Sequence, residues 1–165
     1  MTVPAAVIRP ARPEDIETLI TMIRELAKYE ALEHEVRATP ELLNLHLFGE
    51  RPFAEAWIAE AEGEVAGFVL FFHTFSTWRG LPGIYLEDLY VRPAHRGLGL
   101  GKALLARLAT LALERGCGRL EWAVLDWNAP AIGFYQAMGA TPMDEWTVFR
   151  VEDSALETLA GQASI

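Results

Sequence analysis

The sequence predicts an α+β fold: a mixed, mostly antiparallel sheet with helices on its faces. Three observations carry this expectation. Two apolar runs lie either side of Glu62 and Gly63 within residues 53–75, a long apolar-striped segment at 102–116 sits between two strand-like runs, and helical patterns come early in the chain.

"AVIRPA" (6–11) reads as a first strand, closed by Pro10. Residues 13–30 follow as a helix: Pro13 suits the first turn, and Glu14 and Asp15 oppose the positive end of the helix dipole. Ile16, Leu19, Ile20, Ile23, Leu26 and Ala27 form one apolar stripe at helical spacing. Thr39 and Pro40 open a second helix that Gly49 ends. The runs around Glu62 and Gly63 make an antiparallel hairpin, and "GIYLEDLYV" (83–91) is the next strand, stopped by Pro93.

"KALLARLATLALERG" (102–116) is a helix buried through Leu104, Leu105, Leu108, Leu111 and Ala112. "RLEWAVL" (119–125) then returns as a strand parallel to 83–91 by a right-handed crossover. Asn128 caps a short helix that Gly139 ends. "MDEWTVFRV" (143–151) supplies a final strand, and residues 153–165 a loosely held tail.

A chain of 165 residues fits one domain spanning 1–165 with a single core. With 52% hydrophobic and 22% charged residues it is ordinary globular sequence, not disordered. No apolar run has the length of a membrane span and "MTVPAAVIRP" lacks the basic start of a signal peptide, so a cytoplasmic protein is expected. Cys117 is the only cysteine: it forms no internal disulfide and reads as a small buried thiol. The net charge of −9 argues against nucleic acid as partner and suits a cationic ligand, although acidic surfaces also serve solubility. His34, His46, His73 and His95 lie too far apart for metal-site spacing, and no metal is expected.

"VRPAHRGLGLGK" (91–102) holds three glycines at alternate positions between a strand and a helix. The dinucleotide fingerprint needs a sixth-position glycine, and from Gly97 that position is Lys102. The nucleotide P-loop needs four residues between its glycines and then Lys-Ser/Thr; Gly97 and Gly101 enclose three, and Ala103 follows Lys102. What remains is Arg-x-x-Gly-x-Gly at a helix start, where small residues and unpaired N–H groups let backbone meet an anion. A flexible turn before a buried helix fits the segment equally well.

This segment resembles the acyl-CoA pyrophosphate loop of the GNAT N-acetyltransferase superfamily. With "VIRPA", "IRELAKYEALEHEV", "FGERPF", "YLEDLYV", "RGLGLGKALL", "WNAPAIGFYQAMGA", "EW" and "VFRV", the chain resembles the spermidine/spermine acetyltransferase branch in order over nearly its whole length. The resemblance implies a sheet with a splayed parallel pair, acetyl-CoA as co-substrate, a small cationic amine (polyamine, diamine or lysine-like) as acceptor, and a homodimer paired through the C-terminal strand. Arg96, Gly97, Leu98, Gly99, Leu100, Gly101 and Lys102 would hold the pyrophosphate. Leu89, Tyr90 and Val91 would present strand backbone to the acetyl and pantetheine arm, with Asn128 and Phe134 along its other side. Tyr29, Glu30, Glu87, Asp88, Asp126 and Trp127 would meet the amine. The branch has a glutamate where Asp126 stands.

Acetyl transfer needs a neutral amine, a polarised carbonyl and a proton for the departing thiolate. Deprotonating an alkyl ammonium of pKa near 10.4 at pH 7 costs roughly 4.6 kcal/mol. Glu87 is the candidate base, directly or through water. Tyr135 is the candidate acid: a phenol near 10 giving its proton to a thiolate near 8.5 is uphill by about 2 kcal/mol. A backbone N–H near Tyr90 or Val91 would polarise the carbonyl. Carboxylates that attract a cation also raise its pKa, so binding and deprotonation oppose each other.

Each residue has a plainer reading. Tyr135 and Trp127 also fit as packed aromatics, and Tyr29 and Glu30 as a solvated helix end. Glu87 and Asp88, being adjacent, face opposite sides of a strand unless a bulge intervenes, so Glu87 takes the catalytic role and Asp88 a weaker substrate contact. Two further functions remain open: a GNAT acting on a protein N-terminus or lysine side chain, and a non-catalytic acyl-CoA-binding regulator.

Overall fold

The computed structural model describes residues 6–163, which divide between Leu125 and Asp126 into two compact units. The first holds a five-stranded sheet of order β1-β2-β3-β4-β5. Its elements are β1 (Ala6–Pro10), α1 (Ile16–Tyr29), α2 (Pro40–Phe48), β2 (Glu55–Ala61), β3 (Glu64–Ser76), β4 (Leu81–Val91), α3 (Leu100–Glu114) and β5 (Leu120–Trp122). The strands β1 to β4 pair antiparallel in sequence order, and β4 pairs parallel with β5. The mixed sheet is as expected.

Local chemistry sets the element ends. Thr39 Oγ1 accepts from the Leu42 N–H at 3.2 Å and caps α2, with Pro40 at its first position. Glu62 and Gly63 both take positive φ (55° and 80°), which a two-residue hairpin matched to right-handed strand twist requires. Asp15 does more than oppose a dipole: its carboxylate accepts from Arg9 at 2.8 Å and from the Arg12 N–H at 2.7 Å, which holds it below its ordinary pKa.

One sheet face packs on α1 and α2. Leu19, Met22, Leu47, Ile58, Phe68 and Tyr90 form that core. On the other face, Arg107 of α3 lies 4.8 Å from the Trp57 ring, which meets Phe71 edge-on at 5.5 Å. Leu104 and Leu108 are fully buried there.

The second unit holds α4 (Ala129–Ala137) and α5 (Asp153–Ala160). Two expectations fail in it. Residues 143–151 form no strand: a strand needs a ladder partner, and none pairs with it among the described residues. Val148 and Phe149 are accordingly 84% and 92% exposed. The expected loose tail instead carries a two-turn helix, for which the Ala155, Leu156 and Leu159 spacing and the acidic Asp153 in the first turn are suited. The last two residues of that tail lie outside the described residues.

Candidate active site

The site begins where the parallel pair ends. The last β4–β5 partners are Leu86 and Trp122, yet β4 runs on to Val91. Beyond Leu86 the outer edge of β4 therefore has no ladder partner among the described residues. Which backbone groups face that edge follows from the antiparallel pattern. Arg92 N–H donates to Ala66 at 2.8 Å, so in the alternating ladder Tyr90 and Asp88 exchange bonds with Phe68 and Leu70. The N–H groups of Leu89 and Val91 consequently point away from β3, toward the open edge. Of the two donors considered for the carbonyl, Val91 is available and Tyr90 is engaged. The close approach here depends on Gly67, which the sequence did not single out: a Cβ on it would collide with the Tyr90 carbonyl.

β4 also carries a bulge. Leu70 pairs with Asp88 but the next residue, Phe71, pairs with Leu86, so Glu87 is extra. Paired residues share a face, which puts Leu86 with Phe71 on the α3 side. Asp88 lies with Leu70 on the α1 side. Without the bulge Asp88 would follow Leu86. Glu87 is exposed, whereas Asp88 is partly buried. Burial first, then the charges of Glu87 and Glu30, push the Asp88 carboxyl up to about 7. Burial also raises Glu30, which ends α1 as its C-cap. The helix is closed by Ala31 in the left-handed region (φ 58°), an uncommon state for alanine. Thus the first unit brings Glu30, Glu87 and Asp88 together, and no hydrogen bond or ion pair reaches the Asp88 carboxyl among the described residues. The bulge, the exception allowed for in the sequence, is therefore present, and it sets Asp88 on the α1 side.

The glycine segment turns twice through positive φ, at Gly97 (79°) and Gly99 (78°), with open space where either Cβ would lie. Glycine is needed there for its backbone freedom, not for room. Gly99 caps α3, whose first N–H groups, those of Leu100, Gly101 and Lys102, have no partner within the helix. Left-handed glycines before a helix N-terminus leave backbone N–H groups of the kind suited to meet an anion. Leu100 is buried and anchors the loop, while Leu98 and Lys102 face solvent. Arg96 Nε donates to the Val91 carbonyl at 2.9 Å, and its guanidinium lies 5.3 Å from the Tyr29 ring and 5.8 Å from the Tyr90 ring. Tyr90 is buried; that burial and the adjacent Glu25 raise its phenol pKa.

In the second unit the buried Asn128 accepts from the Ala131 N–H at 3.3 Å and caps α4, as its sequence position predicted. Phe134 and Tyr135 follow on α4, both partly buried, with rings 5.4 Å apart. The chain leaves the helix through Gly139 at φ 90°. Asp126 and Trp127 precede the cap and are exposed.

Comparison with known proteins bears on the family and the fold. Residues 19–140 match the Acetyltransferase (GNAT) family. The chain is 42% identical to the thialysine N-epsilon-acetyltransferase of Bos taurus, over 94% of its own length and 97% of that protein's. It is 32% identical to an L-ornithine N5-acetyltransferase of Arabidopsis thaliana, with 92% and 86% covered. Among solved structures, an integron cassette protein of V. cholerae superposes with a TM-score of 0.79 at 28% identity, covering 94% of this chain and 98% of that one. No helix among the described residues is long and apolar enough to cross a membrane. With a family match over most of its length and relatives near 40% identity, the chain belongs to the GNAT acetyltransferase family, enzymes of acetyl transfer to an amine.

Proposed function

We propose that the protein transfers the acetyl group of acetyl-CoA to a primary amine of a small lysine-like, diamine or polyamine substrate, by direct attack of the amine on the thioester. The observation that carries this reading is the group of Glu30, Glu87 and Asp88, three carboxyls with no cationic partner among the described residues, near the edge of β4 beyond Leu86. A site of that charge favours an ammonium ion and disfavours an anionic acceptor. The relatives' substrates, thialysine and ornithine, carry such an amine.

In this reading the loop from Arg96 to Lys102 binds the CoA diphosphate through backbone N–H groups. Leu89, Tyr90 and Val91 line the acetyl arm, with Asn128 and Phe134 along it. The Val91 N–H is the donor suited to the thioester carbonyl, whose oxygen gains charge as the amine nitrogen bonds to carbon. Glu87 takes the proton of the ammonium, directly or through water, which leaves the nitrogen lone pair free. The carbon–sulfur bond then breaks, and Tyr135 gives its proton to the thiolate. Tyr29, Glu30, Asp88, Asp126 and Trp127 hold the amine, the aromatic rings by cation–π attraction.

The whole chain acts as one acetyltransferase domain in this account, in the cytoplasm and as a homodimer. The exposed apolar segment 146–151 is suited to pair with a second copy, which would supply the missing ladder. Sedimentation velocity tests that part.

The function itself is tested by acetyl-CoA turnover against thialysine, lysine, ornithine, putrescine, spermidine, spermine and a lysine-containing peptide. Highest kcat/KM on a small amine is expected. Acetylation of the peptide with no response to any small amine would replace the small-molecule reading with a protein-modifying one.

A further inference from the structure

The residues on either side of Val91 are tied to one carboxylate on another element. Tyr90 and Arg92, two apart on an extended chain, present their side chains to the same face of the sheet, that of α1. Both reach Glu25 of α1. The Arg92 guanidinium donates to its two oxygens at 3.2 and 3.1 Å, and the Tyr90 phenol is hydrogen-bonded to the same carboxylate. Arg92 donates further to the Val65 carbonyl at 3.0 Å and, from its backbone, to the Ala66 carbonyl at 2.8 Å. Tyr90 is 5% exposed and packs against Phe68, so its ring is set by the core. On the outer edge the Val91 carbonyl accepts from Arg96 Nε at 2.9 Å, and the Val91 N–H is the group left there for a ligand.

From this convergence we infer that Glu25 is a positioning residue for acetyl transfer: by holding Tyr90 and Arg92 it aims the Val91 N–H at the thioester carbonyl. The inference rests on the proposed function for the role of that N–H and adds what directs it. Beyond Leu86 the outer edge of β4 has no ladder partner among the described residues, so an outward N–H there takes its direction from whatever holds the residues beside it. Direction matters because a donor to a developing oxyanion acts only when well placed, and an error of about 1 Å costs about 10²-fold in rate. Glu25 stands apart from the acidic step. Arg92 balances its charge, whereas the charges that act on Asp88 are those of Glu87 and Glu30. Loss of the Glu25 carboxylate should therefore fall on kcat and spare the amine KM.

Acetyl-CoA labelled with a heavy isotope at its carbonyl carbon, bound at saturation without amine, reports the donor directly, because a hydrogen bond lowers the carbonyl stretching frequency. By infrared difference spectroscopy the bound band should lie below that of acetyl-CoA in water in the native protein. Glu25→Gln, which keeps the shape, should lose at least about half of that shift and about 10- to 50-fold in kcat, with amine KM and calorimetric CoA affinity within about twofold. Arg92→Lys, which keeps the charge but not the two-point contact, should do the same, and it carries the test should Glu25→Gln fail to fold. The double variant should lose no more kcat than Glu25→Gln alone, within about twofold. A lowered kcat with a native carbonyl shift overturns the inference, since Glu25 would then act elsewhere than on the donor. So does an unchanged kcat in both single variants, or a native enzyme that acetylates small amines yet shows no shift. Absence of acetyl transfer to any small amine in the native protein would instead count against the proposed function, so the two failures are distinguishable.

Discussion

Two stretches of β4 and its exit, barely ten residues apart, are built in opposite ways. The loop 96–102 offers backbone: its glycines, with φ near 80° at Gly97 and Gly99, turn N–H groups outward at the start of α3. The step at Glu87 and Asp88 offers side chains, and a bulge aims them. Backbone donors suit a ligand common to a whole family, because they need only glycine and a helix start. Side-chain carboxyls, set by burial and by one another, suit a ligand that varies between relatives. In the proposed function the loop binds the donor and the step chooses the amine.

The largest effect expected falls outside both stretches. Tyr135→Phe should lower kcat by about 10² to 10⁴ while CoA affinity, measured by calorimetry, stays within about twofold. An unchanged kcat would remove Tyr135 from the acid role and leave the loop and the step to share the chemistry.

Asp88 makes the second prediction, which concerns stability. Its carboxyl titrates near 3.8 when unfolded and near 7 when folded. Between those values the folded chain holds more protons than the unfolded one, so stability is fully present below about 3.8 and declines as pH rises through 7. Asp88→Asn removes that decline. It should be more stable than the native protein at pH 8, by at most about 4 kcal/mol, and no more stable at pH 3.5; urea unfolding at the two pH values measures the difference.

For the loop, Gly99→Val forces a β-branched residue into the left-handed region. A weakening of CoA by about tenfold is expected from a backbone cost of about 1–2 kcal/mol, with the amine KM changed less. The smallest effect is at the helix end between the two regions. Ala31→Gly relieves the left-handed alanine and should raise the unfolding free energy by about 1 kcal/mol in a thermal or urea melt.

What the sequence reveals of the two stretches differs for a physical reason. The glycine loop and the Glu62–Gly63 turn were legible because positive φ selects glycine, and the caps at Thr39 and Asn128 because their side-chain oxygens accept from a first-turn N–H. The facing of Asp88 was not legible, because a one-residue bulge reverses the side assignment and is visible only in the pairing of Leu70 and Phe71. Gly67 escaped notice for a related reason: its role is the approach of another strand's carbonyl, not its own dihedral. Residues 143–151 are apolar enough to pair as a strand, but that states a capacity to pair and not whether a partner is present.

The central claim, that donor recognition and amine recognition are separate on β4, is tested most directly with Asp88→Asn by measuring CoA affinity and amine kcat/KM on the same preparation. The account predicts CoA affinity within about twofold of the native value and amine kcat/KM reduced at least about tenfold at pH 8, where Asp88 is ionised in the native protein. Equal loss in both quantities, or no loss in either, would contradict it.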